Sequence, residues 1–168
     1  MQTPPLPALT VLLGLSSSLL LAGCGAVPTD QPAAALGAAI QGRVIGGEQP
    51  ITGAAIQLYA VGNSGNGLAA SLIPFNNSVT SGAGGTFNIS SDYSCPTPSN
   101  TPVYLTATGG NPGLSGTVDN TYIALVAALG PCNDLSGSTN IIVNEVTTVA
   151  AAWALAPFAT SLTHVRCV

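Results

Sequence analysis

Ala54 to Val61, AAIQLYAV, alternates with a period of two. Ala54, Ile56, Leu58 and Ala60 fall on one face, and Ala55, Gln57, Tyr59 and Val61 on the other, which is half polar at most. The same period returns in Thr86 to Ser90 (TFNIS), where Phe87 and Ile89 share a face, and in Val103 to Thr108 (VYLTAT). Ile40 to Ile45 (IQGRVI) is a further short strand candidate, and Tyr122 to Leu129 (YIALVAAL) is apolar throughout. Between these runs stand turn formers: Gly46-Gly47 with Pro50, Asn63 to Gly67 (NSGNG) and Ser81 to Gly85 (SGAGG). Short strands punctuated in this way predict a mainly β chain, an Ig-like β-sandwich.

The pattern changes near the C-terminus. Ile141-Ile142-Val143 is strand-like, and Asn144 is placed to N-cap a short helix from Glu145 to about Ala156, stopped by Pro157. Glu145 in the first turn complements the helix dipole. Val146, Val149 or Ala150, and Trp153 fall at helical spacing and are expected to cover the sandwich or a neighbouring domain. The β-branched run Val146-Thr147-Thr148-Val149 leaves an all-β reading of this segment open.

Two resemblances add to this. GRVIGGEQPITGAAIQLYAVG followed by VTSGAGGTFNIS resembles the first strands of prealbumin-like modules, the CnaB-type or carboxypeptidase-regulatory-like domains. The matching residues are Gly42, Val44, Pro50, Gly53, Ala54, Ile56, Leu58, Tyr59, Thr80, Gly85 and Phe87, with Ser81 where the family usually has Asp. The likeness covers about residues 40–108 and implies a prealbumin-like sandwich of the kind used in stalks, adhesin repeats and accessory domains. Some such modules carry a Lys–Asn isopeptide bond, which a chain without lysine cannot form. YLTATGGNPG, AALGPC and NEVTTVAAAWALAPF are in turn similar to blocks of uncharacterised secreted bacterial proteins, in which the chain generally continues past ALAPF.

Ahead of the domain, Ala8 to Ala22 (ALTVLLGLSSSLLLA) is an apolar run of signal-peptide length. Leu21-Ala22-Gly23-Cys24 resembles the bacterial lipobox, although no Lys or Arg precedes it. The resemblance implies a diacylglyceryl group on the Cys24 sulfur, cleavage before Cys24 and acylation of the new amino terminus. Gly25 in place of Asp implies the outer membrane. The competing reading is an ordinary secretory signal cut nearby. The organisation expected is a signal at 1–23, a flexible tether at 24–39, the β domain at 40–143, the helix at 144–157 and a tail at 158–168 that is either truncated or an ordinary frayed end.

Charge narrows the functions. The chain has 168 residues, two basic and six acidic, and a formal net charge of -4. Two isolated arginines form no basic stripe, which excludes nucleic acid as a partner. The partners expected are the membrane through the lipid anchor and a cell-surface protein or polysaccharide.

Chemistry-bearing residues are few. Cys95 and Cys132 sit in proline-flanked loops and are read as a disulfide, with two free buried thiols as the alternative. No Cys/His spacing implies a metal, and no cofactor is expected. Asp119-Asn120 and Asn133-Asp134 have oxygens suited to calcium but read better as turn residues. His164 is the only base for a hydrolase and lies in the tail, with no G-x-S-x-G elbow around any serine. Tyr59, Tyr93, Tyr104 and Trp153 have rings that stack on sugars. Tyr59 and Tyr104 are the ligand-facing candidates, against a plainer reading with both tyrosines outward on strands and Trp153 in the core. The function expected is a non-enzymatic cell-surface lipoprotein, structural or adhesive, with a carbohydrate-binding module as the alternative.

Overall fold

The alternating runs become strands. A computed structural model describes residues 36–62, 71–75, 77–116, 118–156, 159–161 and 164–165. The elements are β1 (Ile40–Gly46), β2 (Gln49–Pro50), β3 (Ala55–Ala60), β4 (Ser71–Ile73), β5 (Val79–Thr80), β6 (Thr86–Ile89), β7 (Pro102–Thr108), β8 (Ala124–Pro131), β9 (Asn140–Val143), α1 (Glu145–Leu155), β10 (Ala159–Ser161) and β11 (His164–Val165). The signal, the lipobox with Cys24, most of the tether and Cys167 lie outside the described residues.

Two sheets carry the domain. In one, β1 pairs antiparallel with β2 and β6 and parallel with β9. In the other, β3, β7 and β8 run antiparallel in that order, and β4 and β5 share the free edge of β3. β10 and β11 form a separate small ribbon. The described residues are thus mainly β with one short α-helix near the C-terminus, which settles the segment after Asn144 as helical.

Burial follows the period of two. Ala54, Ile56, Leu58 and Ala60 are all buried, as are Phe87 and Ile89, and the inward residues of both sheets join one apolar cluster. The apolar run expected from Tyr122 starts as a strand only at Ala124. Tyr122 is 94% exposed, its N–H held in a turn by Asn120 Oδ1 at 3.1 Å.

Three close approaches fix the connections. Gly42 lies where a Cβ would meet the Phe87 ring and the Ile141 carbonyl, so a bare backbone lets β6 and β9 flank β1. Gly85 has a left-handed φ of 73°, and a Cβ there would run into the Val44 carbonyl. Ser81, buried, donates to the Ile51 carbonyl (2.7 Å) and accepts from the Ala54 N–H (2.9 Å), satisfying the turn into β3. That is the position where the resembled modules carry Asp.

The domain also begins earlier than Ile40. Leu36 bridges to Ser94, Gly37 N–H donates to the Tyr93 carbonyl (2.8 Å) and Tyr93 Oη donates to the Ala38 carbonyl (2.9 Å). The last four residues expected to be tether are therefore tied to the fold.

Gly47 offers an internal comparison for Gly85, since it too is left-handed (φ 57°) but has open space at its Cβ position. Gly47→Ala is expected to cost about 1 kcal/mol, the left-handed penalty alone. Gly85→Ala is expected to cost more than about 3 kcal/mol through the added backbone clash, measured by denaturant unfolding of the two variants.

Candidate functional site

The residues singled out by sequence fall around α1 and at the disulfide. Asn144 caps the helix: its Oδ1 accepts the Thr147 N–H and its own N–H donates to Thr147 Oγ1, both at 2.9 Å. Glu145 Oε1 accepts the Gly47 N–H at 2.7 Å, tying the first turn to the β1–β2 hairpin. Thr148 Oγ1 accepts the Val126 N–H (3.0 Å) and donates to the Asn144 carbonyl (2.6 Å). The helix therefore lies along β8, whose edge it covers in part.

Its buried side is not the one the spacing suggests. Ala151 is buried and Leu155 half-buried, packing with Val61, Tyr104 and Val126 in a second apolar cluster with Tyr59 at its margin. Val146, Val149 and Trp153 point outward, 74%, 69% and 85% exposed. The expectation that they cover the β domain is corrected, and so is Trp153 as a core residue. Steric economy accounts for it, since a helix resting on the Tyr104 ring approaches closely only through small residues such as Ala151. With Glu145 and Ala150, the outward residues line a surface groove of about 610 Å³.

The reading of Tyr104 as ligand-facing is corrected too. Tyr104 does lie on the sheet face turned away from the main core, but α1 covers it to 1% exposure, so it is neither solvent-facing nor ligand-facing. Tyr59 is half-buried and stacks on it, ring centroids 5.3 Å apart and 12° between planes. Tyr93 is buried against Phe75 at 6.1 Å, edge to face. A groove lined by Gln49, Thr52, Asn111 and Asp119 lies elsewhere, with no aromatic residue among the described residues of its wall. Asn111 is spent there on its own loop, with Nδ2 donating to the Leu114 and Gly116 carbonyls. Sugar-stacking rings and polar partners are not brought together among the described residues.

Cys95 and Cys132 are joined, their Cα atoms 5.8 Å apart. The bond ties the loop after β6 to the end of β8. There the Cys132 N–H donates to the Thr101 carbonyl (3.1 Å) and the Asn133 N–H to the Ser99 carbonyl (3.1 Å). Among the described residues no three His, Cys, Asp or Glu side chains gather to hold a metal. Asn120 serves the turn before β8, as already noted, and the side chain of His164 lies outside what is described. The outward face of α1 is what sequence reasoning misplaced. A helix apolar on every side carries no asymmetry from which its buried face can be read. No known protein family, curated protein or solved structure matches the chain.

The staple spans a sequence separation of 37 residues. Loop-closure entropy gives it about 4 kcal/mol, so Cys95→Ala/Cys132→Ala is expected to lose that much stability in equilibrium unfolding.

Burial pushes the Tyr93 and Tyr104 phenols above their ordinary range, and neighbouring Tyr59 adds to the effect at Tyr104. A pKa raised on folding favours the protonated, folded form. Stability is then complete below about pH 10 and falls as pH climbs past it. Alkaline titration followed by tyrosinate absorbance and far-ultraviolet circular dichroism is expected to show these two ionising together with loss of the fold. Tyr104→Phe is expected to reduce that alkaline sensitivity.

Proposed function

We propose that this chain is a non-enzymatic lipoprotein of the bacterial envelope, held at the outer membrane through Cys24 and displaying a prealbumin-like, Ig-like sandwich as a structural or interaction module. The observation that carries the reading is the Cys95–Cys132 disulfide. Such bonds persist in oxidising compartments, so a stapled β domain behind an apolar leader fits export. The lipobox-like Leu21-Ala22-Gly23-Cys24 supports the anchor, and residues 25–35 leave sequence length for a linker between Cys24 and Leu36. Support for the module comes from two sheets sharing one core and from the Gly42, Ser81, Gly85 and Phe87 positions, each with a packing or hydrogen-bonding role at the strand junctions. The carbohydrate-binding alternative draws less support, because Tyr104 is covered and the groove at Asn111 carries no ring among its described residues.

Mass spectrometry of the mature protein, with and without reductant, tests the reading. The expected result is an acylated, diacylglyceryl-modified Cys24 at the amino terminus, with Cys95 and Cys132 gaining two protons on reduction. Cys24→Ser is expected to move the protein from the membrane fraction to the soluble one. A Cys24→Ser protein that stays in washed membranes after signal removal sinks the anchor.

A further inference from the structure

The outward stripe of α1 has a shape and chemistry that identify an occupant. We propose that Val146, Val149 and Trp153 dock the domain onto the surface of a neutral lipid bilayer, the membrane to which Cys24 ties the chain. The inference rests on that anchor reading.

The stripe itself, Val146, Val149 and Trp153, carries no charge, and Glu145 stands at the N-terminal edge of the groove it lines. On α1 the only ionisable side chain is Glu145, in the first turn, where it accepts the Gly47 N–H. The helix hydroxyls are also taken: Thr147 Oγ1 donates to the Asn144 carbonyl (3.0 Å), and Thr148 serves β8. A helix satisfies its backbone internally, so its outer face enters the acyl boundary without orphaned polar groups. An indole, apolar except for one N–H, is suited to the headgroup level.

A second copy of the chain is the competing occupant, and the area argues against it. Three side chains of this size expose on the order of 400 Å², about half of what one partner contributes to a standard protein interface. A bilayer needs no complementary surface. Nor does it need cations here: a chain without lysine and with a net charge of -4 is not drawn to anionic headgroups. The surface implied is zwitterionic, and the docking is insensitive to salt. Length fits as well. From Cys24 to Leu36 the extended chain spans at most about 40 Å, so an anchored domain remains near the bilayer. A weak apolar face binds marginally alone but adds usefully to a lipid anchor.

Trp153 is the only tryptophan, so its fluorescence reports on this stripe alone. The mature protein would be reconstituted into phosphatidylcholine vesicles, with and without brominated acyl chains, and floated on a density gradient. Docking predicts a blue-shifted emission, quenched several-fold more by brominated lipid than by aqueous iodide and equal at low and high salt. Val146→Ser/Val149→Ser, both at exposed positions, is expected to restore iodide quenching while circular dichroism stays unchanged. A protein that floats with the vesicles while Trp153 remains open to iodide overturns the docking and leaves the anchor standing. A blue shift without bromine quenching, together with concentration-dependent cross-linked dimers, assigns the stripe to a second copy and overturns the proposal. A protein that does not float refutes the anchor instead. The same soluble chain titrated to a large lipid excess, where even marginal binding is captured, then judges the stripe by itself, with bromine quenching supporting docking and its absence overturning it.

Discussion

Everything in the domain is hung on β1, and β1 is accessible to its neighbours because Gly42 has no side chain. Phe87 from β6 and the Ile141 carbonyl from β9 occupy the space a Cβ would fill. With both flanks paired, Ile40 and Val44 are held in the core they share with Ile56, Leu58, Leu105 and Leu125 of the other sheet. The parallel pairing with β9 also decides where α1 begins, since Asn144 follows Val143 directly and turns the chain into the helix. A packing constraint at one residue thus propagates to the far end of the domain.

A chain this poor in charge relies on neutral groups to finish its backbone. Ser81 closes the turn into β3, Asn111 folds its own loop, Asn144 caps α1 and Thr148 meets the Val126 N–H on the edge of β8. Each bond contributes modestly, but leaving such a group unpaired in the interior costs more than making the bond gains. Among the described residues, no buried side-chain polar atom is left without a partner. Small polar residues at turns and caps here do the work that ion pairs share in charged proteins.

The sequence disclosed the parts of the fold governed by strict alternation. β3 and β6 could be read face by face, because one face had to be apolar and the other did not. It concealed β4 and β5, where Pro74 interrupts the edge and each piece is too short to show a period. It named the helix and its cap correctly, yet not its orientation. Val146, Val149 and Trp153 look like a core stripe by size, whereas the contact surface is set by what fits over Tyr104, and that is Ala151. The disulfide was legible as a pair of loop cysteines in a chain with an export-like leader. The covering of Tyr104 was not, because period two correctly turned it away from the main core and carried no trace of a second layer.

Arg43 takes on a different meaning once its surroundings are known. The chain contains two arginines and no lysine, and Arg166 lies outside the described residues. Arg43 sits in the middle of β1, opposite Thr86 on one side and Ile142 on the other, with Nε donating to the Gly84 carbonyl at 2.9 Å. A trypsin-like protease must draw an extended segment into its cleft, and the bond after Arg43 is committed to two neighbouring strands. Among the described residues the domain therefore offers such an enzyme one site, and reaching it requires prising open the sheet on which the domain is built. Against such a protease, sparing use of cations acts as armour.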